Sequence, residues 1–237
     1  MKNFNAFIEE ARPLFENYRI LDSNAVNALK INVGKGSFIA IAGEYFLNCN
    51  IKEDIYQHTF YLVVLLDKTK HFVLPIVWLP YEKIPWKFEH VYSDKTCCLG
   101  LTYEVLKIWG EEQTAQDFFE KIIDVFLINL LSFRNKGKCV TGERPHGEAG
   151  LIDYYKDLFD MTADEFRNAL PYIYRKVIRK EFAKGHNLCP CGNKEIVRRC
   201  HGEKINSFLD NLYASNELKE GFIQDTKVYF ERRLNNG

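Results

Sequence analysis

Two short stretches hold the residues best suited to chemistry. The first runs His90-Val91-Tyr92-Ser93-Asp94-Lys95-Thr96-Cys97-Cys98-Leu99. A cysteine is intrinsically nucleophilic and a good leaving group, so it can accept an acyl group from one thioester and yield it to an amine. His90 and Tyr92 lie just upstream and carry donors able to hold the negative oxygen that forms during such a transfer. The second stretch runs from Cys189-Pro190-Cys191-Gly192 to Cys200-His201-Gly202. Its three thiols and one imidazole can close a tetrahedral zinc site, and Gly192 permits a tight turn after the first ligand pair. Four protein ligands leave no open position, so the ion would be structural.

Other residues carry weaker signals. His146, in Arg144-Pro145-His146-Gly147, either orients an incoming lysine or marks a turn into a helix. His186 is a substitute zinc ligand close to the cluster. His58 and His71 fall in or beside strand-like segments and read as surface or core residues. Cys49 and Cys139 have no partner pattern.

The elements that must position these groups follow from hydrophobic period. Asn3–Tyr18 places Phe4, Phe7, Ile8, Ala11 and Leu14 at helical spacing, with Pro13 as a kink or stop. Three strand-like segments follow, Ser37–Asn48, Ile55–Leu66 and Phe72–Leu79, and their short spacing predicts an antiparallel meander. Pro75 suits an edge strand or a bulge. From Leu79 to Cys98 the pattern is irregular and punctuated by Pro80 and Pro85. Ala115–Phe133 is a broad apolar helix with Thr114 as N-cap, Asn135–Gly150 a loop, and Leu151–Leu158 a helix. Thr162-Ala163-Asp164-Glu165 has the form of a capping box opening a basic helix that runs to about Lys184. A last amphipathic helix is expected over Lys204–Leu212. The fold class is α+β, with domains over 1–160 and 161–237.

The first stretch resembles the catalytic loop of ubiquitin-conjugating enzymes. That pattern reads His-Pro-Asn-Val-Tyr, a short polar turn, Thr, one residue, Cys, Leu. Val91-Tyr92 and Cys98-Leu99 match it without a gap. Leu79-Pro80-Tyr81 and Pro85 are similar to the approach, and Trp109 and Thr114 to the start of the following helix. The resemblance covers about 1–160. It implies a helix, a four-stranded meander and C-terminal helices. It also implies Cys98 as the thioester-forming residue, with Cys97 a buried neighbour. His90 stands where the family has Asn, as in bacterial members, and it can donate to the same oxyanion. Arg144–Gly150 is similar to the tail of those bacterial domains. The second stretch resembles the SEC-C motif, Cys-x-Cys, eight residues, Cys-His, which names Cys189, Cys191, Cys200 and His201 over His186.

These resemblances imply a conjugating-type acyltransferase of bacterial antiviral defence. The setting would be CBASS, acting on a cyclic-oligonucleotide synthase, or an operon with its own ubiquitin-like protein and activating enzyme. Two alternatives stand beside it: a non-catalytic adaptor, and a zinc-module nucleic-acid binder using the basic residues Arg175, Lys176, Arg179, Lys180, Lys184, Arg198 and Arg199. Lys plus Arg and Asp plus Glu each total 32, so no global charge draws the chain to nucleic acid or anionic lipid. Seven cysteines, an odd number, argue against a disulfide framework. No apolar run reaches bilayer length and no secretory signal opens the chain, which predicts a cytoplasmic protein without a membrane partner.

Overall fold

A computed structural model describes residues 4–29, 31, 33, 36–69 and 74–235, the side chains of 228 and 232–235 excepted. The chain is α+β with one four-stranded antiparallel sheet in the order β1-β2-β3-β4. It divides into two compact units, one of residues 1–100 and 107–142, the other of 101–106 and 143–237. The boundary expected at 160 falls inside the second unit, since residues 143–159 cluster with the C-terminal helices.

In the first unit, α1 (Phe4–Ala11) ends where Pro13 forces a short 3-10 turn, Arg12–Leu14. The chain then enters β1 (Phe15–Leu21), so the helix expected through Tyr18 is overturned. β1 hid from the pattern because only Phe15 is buried along it, leaving no alternation to read. Asp22 caps α2 (Ser23–Ala28) through the Ala25 N–H. β2 (Phe38–Ile51) and β3 (Asp54–Asp67) pair without a slip from Phe38↔Asp67 to Ile51↔Asp54. Gly43 on β2 is needed at the β1 crossing, since a Cβ there would lie 2.9 Å from the Glu16 carbonyl oxygen. β4 (Ile76–Trp78) is an edge strand directly after Pro75. His71 and the first two residues of the segment expected over Phe72–Leu79 lie outside the described residues.

The sheet packs against a long helical run: α4 (Ala115–Phe118), a π-helical turn (Phe119–Ile123) and α5 (Asp124–Lys136). Thr114 caps it by accepting the Asp117 N–H at 3.0 Å, and Gly137 ends it in the left-handed region, φ 70°. Phe7, Trp109 and Phe118 meet at centroid distances of 4.9–5.9 Å, while Phe15 and Tyr45 sit on Phe119. Burying rings of this size dominates the favourable side of the unit's stability. A helix that hydrophobic period did not reveal, α3 (Thr102–Trp109), follows Cys98; its first residues belong to the second unit.

The second unit contains α6 (Gly147–Phe159), α7 (Ala163–Arg179), α8 (Gly202–Ala214) and α9 (Asn216–Asn235). The expected capping box is present at Thr162 and Glu165. α7 stops at Arg179 rather than near Lys184, because Lys180 turns left-handed (φ 53°) and its N–H returns to the Lys176 and Val177 carbonyls. No glycine marks that stop, so sequence could not locate it. The core gathers Tyr155, Phe159, Phe166, Leu170, Phe208 and Phe222. α9 was not anticipated, since Gly221 interrupts it and charges ring it, yet Phe222 and Tyr229 are fully buried. Among the described residues no helix is long and apolar enough to cross a membrane.

Candidate functional site

In the first unit, His90–Cys98 folds as an irregular hairpin. The Cys98 N–H donates to the His90 carbonyl at 2.7 Å, Tyr92 N–H to the Thr96 carbonyl at 2.8 Å, and Val91 bridges Cys97. The turn is made by Asp94, whose Oδ1 accepts the Thr96 N–H (3.0 Å) and Oγ1–H (2.6 Å), with Lys95 left-handed at φ 72°. Four anchors hold the hairpin and its approach. Cys97 N–H donates to the Val77 carbonyl of β4. Trp78 Nε1–H reaches the Asp94 carbonyl at 2.7 Å. Lys95 Nζ reaches the Glu82 carbonyl, and the Glu82 carboxylate is held by Arg134 of α5 at 2.7 Å. Phe88 is buried against Phe126 and Phe133 of α5, so the approach is pinned two residues before His90.

This architecture separates the two neighbouring thiols. Cys97 points inward, 9% exposed, and burial, with Cys98 beside it, pushes its thiol well above the usual cysteine range. It stays protonated and is a poor nucleophile. Cys98 faces the other way and is half-buried. The Tyr92 hydroxyl is hydrogen-bonded to the Cys98 side chain; partial burial, then that bond and the charges of Cys98 and Asp94, push the phenol up to about 12. Tyr92 therefore remains a donor at neutral pH. A ring nitrogen of His90 lies within 4.8 Å of Cys98 Sγ, with its ring edge-on to Phe88 at 5.4 Å. A thiol reachable from solvent, a permanent phenol donor and an imidazole are thus brought together. This set can take an acyl group and stabilise the oxyanion formed on the way.

His146 belongs to the second unit, where it is exposed and forms the N-cap of α6 with extended backbone, φ −88° and ψ 159°. The segment before α6 is clamped: Arg144 pairs with Asp153 at 3.2 Å and Glu104 at 3.6 Å and lies over the Tyr154 ring. Only glycine fits at 150, since a Cβ would fall 1.9 Å from the Pro145 carbonyl oxygen. Of the remaining histidines, His58 pairs with Glu82 at 3.5 Å on β3, and His186 is exposed outside the thiol cluster.

The second candidate site lies wholly in the second unit. The donor atoms of Cys189, Cys191, Cys200 and His201 all lie within 4.8 Å of one another. Cys189 Sγ is 3.6 Å from His201 Nδ1, Cys191 Sγ is 3.6 Å from Cys200 Sγ, and Cys200 Sγ is 3.1 Å from His201 Nδ1. A zinc tetrahedron with Zn–S near 2.3 Å and Zn–N near 2.0 Å has edges of roughly 3.5–3.8 Å. The four donors therefore fit a metal ion. His201 Nε2 lies 3.2 Å from the Asp160 carbonyl oxygen. An Nε2–H donated there leaves the Nδ1 lone pair aimed at the thiols, the arrangement that orients metal-ligating imidazoles.

The backbone explains how so short a segment gathers four donors. A bridge between Leu188 and Ile196 and the Cys189 N–H to Glu195 carbonyl bond (2.7 Å) close a small hairpin. Gly192 turns at φ 97° and returns its N–H to the Cys189 carbonyl. Gly202 lets α8 start against the 3-10 turn Val197–Arg199, because a Cβ would meet the Val197 carbonyl oxygen at 2.5 Å. Burial alone would raise the Cys189 thiol. The N–H groups of Cys191 and His201 and their side chains outweigh it and bring the group down to about 7, toward the thiolate a metal needs.

Sequence reasoning missed Asp94 and Asp225 of α9, which accept backbone N–H groups (Thr96 for the first, Thr102 at 2.7 Å and Tyr103 at 3.0 Å for the second), and the Glu82–Arg134 ion pair. Only Asp94 left a local signal, the Asp-x-Thr spacing of an Asx-turn. In comparisons with known proteins, no family model, no curated protein and no solved structure matches the chain.

Proposed function

We propose that the chain is a cysteine acyltransferase of the ubiquitin-conjugating type, with Cys98 as the residue that carries the acyl group. The observation that supports this best is the pairing of a half-buried Cys98 with the Tyr92 donor and the His90 ring, while Cys97 is turned into the core. The Cys98 thiolate attacks the carbonyl carbon of a protein C-terminus carried as a thioester on an activating enzyme. The new C–S bond forms, and the donor's sulfur leaves as a thiolate. An amine or another nucleophile then attacks the Cys98 thioester, the C–S bond breaks, and the proton lost by the nucleophile is taken up by the departing thiolate or by water. His90 and Tyr92 face the oxygen that becomes negative in each step. His146 is proposed to orient the incoming nucleophile.

Zinc at Cys189, Cys191, Cys200 and His201 is proposed as the structural ion. When bound, it would supply cross-links within a segment of little core. The fold class agrees with a ubiquitin-conjugating-like arrangement, and the Cys-x-Cys…Cys-His spacing with a SEC-C-like module. The partner is proposed to be a cyclic-oligonucleotide synthase of a CBASS system, with a ubiquitin-like protein as the other candidate.

Trapping tests this directly. Cys98→Ser should hold a partner as a hydroxide-labile ester where the parent chain holds a thiol-labile one, and mass spectrometry should place the adduct on residue 98. An adduct on Cys97, or none in cells that hold the native operon, overturns the reading. The basic residues exposed in the second unit, among them Arg175, Arg179, Lys184, Arg198 and Arg199, favour nucleic-acid contact as a second reading. Salt-dependent retention of DNA or RNA would support it.

A further inference from the structure

The Cys98 hairpin turns through a residue that does not favour the turn. Lys95 is left-handed, φ 72°, a conformation that glycine takes freely and that costs a residue with a Cβ. Such strain persists only where the surroundings over-determine it, and it gathers at sites of function. Three bonds hold Lys95. Its N–H donates to the Tyr92 carbonyl at 2.9 Å, its carbonyl accepts the Leu79 N–H at 3.1 Å, and its Nζ donates to the Glu82 carbonyl at 2.9 Å. Glycine could make the first two; only the third needs the lysine side chain. Lys52, Lys180 and Lys194 are also left-handed, but they are exposed, whereas Lys95 is half-buried. The acceptor is itself fixed. The Glu82 carboxylate takes Arg134 of α5 at 2.7 Å and lies 3.5 Å from His58 Nε2 of β3, and Arg134 also reaches the Lys83 carbonyl at 3.1 Å. Every residue of this network, from His58 to Arg134, belongs to the first unit.

The two arms of the hairpin are not held alike. The Cys98 arm is tied to β4, through the Cys97 N–H on the Val77 carbonyl and a bridge between Thr96 and Trp78. Tyr92, on the other arm, is 56% exposed, so packing does little to fix its ring, yet its hydroxyl is hydrogen-bonded to the Cys98 side chain. Its place beside the sulfur therefore depends on the turn that joins the arms. Trp78 Nε1–H holds that turn at the Asp94 carbonyl, and Lys95 is the second hold on it. We propose that Lys95 is a positioning residue: by binding its ammonium to the Glu82 carbonyl it locks the turn and keeps the Tyr92 hydroxyl on Cys98. This rests on the acyltransferase reading for its importance in transfer, although the link itself does not. A turn that only reversed the chain would be better made with glycine.

The experiment is site-resolved alkylation of the full chain by iodoacetamide near neutral pH, with Cys49 and Cys139 as half-buried internal references. Lys95→Met keeps the aliphatic stem and removes the donor; Tyr92→Phe removes the hydroxyl. Each should change the Cys98 rate by about threefold or more in the same direction, with Cys49 and Cys139 unchanged. The double variant should change it no further, since without Lys95 the hydroxyl is no longer held on the sulfur. Lys95→Arg, which still offers a donor, should keep the parent rate. Lys95→Gly relieves the backbone, so it should unfold at a denaturant concentration no lower than Lys95→Met does, yet show the same Cys98 change. That variant keeps the test open if the Met variant folds poorly. A Tyr92→Phe effect as large without Lys95 as with it overturns the proposal. So does a parental Cys98 rate in Lys95→Gly, which would make the backbone matter and the side chain not. Equal acceleration of all three thiols also overturns it, since that signals general loosening. Failure of the function reading is told apart by trapping: a parent chain that forms no thioester, yet shows the coupling, loses the enzyme and keeps the positioning residue.

Discussion

The two cysteine sites use the same chemical groups and arrange them oppositely. At Cys98 the sulfur is half-buried, shares a hydrogen bond with one phenol, and sits on a hairpin held by backbone contacts. At Cys189–His201 four donors converge, two of the thiols are buried, and the imidazole is held from behind by a carbonyl. A sulfur with neighbours that donate is suited to leave and return. A sulfur surrounded by other ligands is suited to stay bound to an ion. What separates the proposed nucleophile from the proposed ligands is the company that packing supplies, since both segments read as cysteine-rich loops.

The largest expected effect breaks the first half of that contrast. Cys98→Ala should abolish partner thioester, measured on non-reducing gels, while Cys97→Ala retains at least part of it. Cys97→Ala also vacates a buried site and should cost about 1 kcal/mol in denaturant unfolding. The second half is tested by metal removal. The purified chain should hold about one equivalent of zinc by elemental analysis, and chelation should melt the second unit. Retained helicity after complete zinc loss would make the cluster an accidental gathering of thiols. Chelation should spare thioester formation at Cys98, which lies in the other unit.

Smaller effects sharpen the comparison. His90→Ala should lower transfer by about 10²-fold with the fold intact, the loss typical of one oxyanion donor. Phe88→Ala should cost about 3–5 kcal/mol of stability, because it empties the contact between the approach and α5. The smallest is a pH effect. Burial raises Asp225 from 3.8 to about 6 against the pull of the Tyr103 and Thr102 N–H groups. The unfolded chain therefore gives up this proton at lower pH than the folded one. The group's contribution to stability falls as pH rises from about 4 to about 6, by on the order of 3 kcal/mol, and is flat above. Asp225→Asn should remove that fall from the stability–pH curve; an unchanged slope would mean that the carboxylate is better solvated than its burial implies.

Local pattern made much of this protein legible. The four candidate metal donors lie within thirteen positions, so their spacing carries their geometry, and the capping box at Thr162 is a four-residue signal that formed as expected. β2 and β3 were visible because their apolar and aromatic content matches a half-buried ladder. β1 was not, since an exposed edge strand has no pattern to show, and α9 was not, since its buried residues are spaced among charges.

Sequence by itself determined which groups exist and which are close along the chain: the cysteine pair, the upstream His90 and Tyr92, and the four donors of the cluster. Tertiary structure decided which of the two neighbouring thiols is buried, what holds the His90–Cys98 hairpin to β4 and α5, and where the compact units divide. Asp225 shows the reason. A contact across 123 positions leaves no local trace, because the capping of a helix by a distant carboxylate depends on close packing that no neighbouring residue encodes.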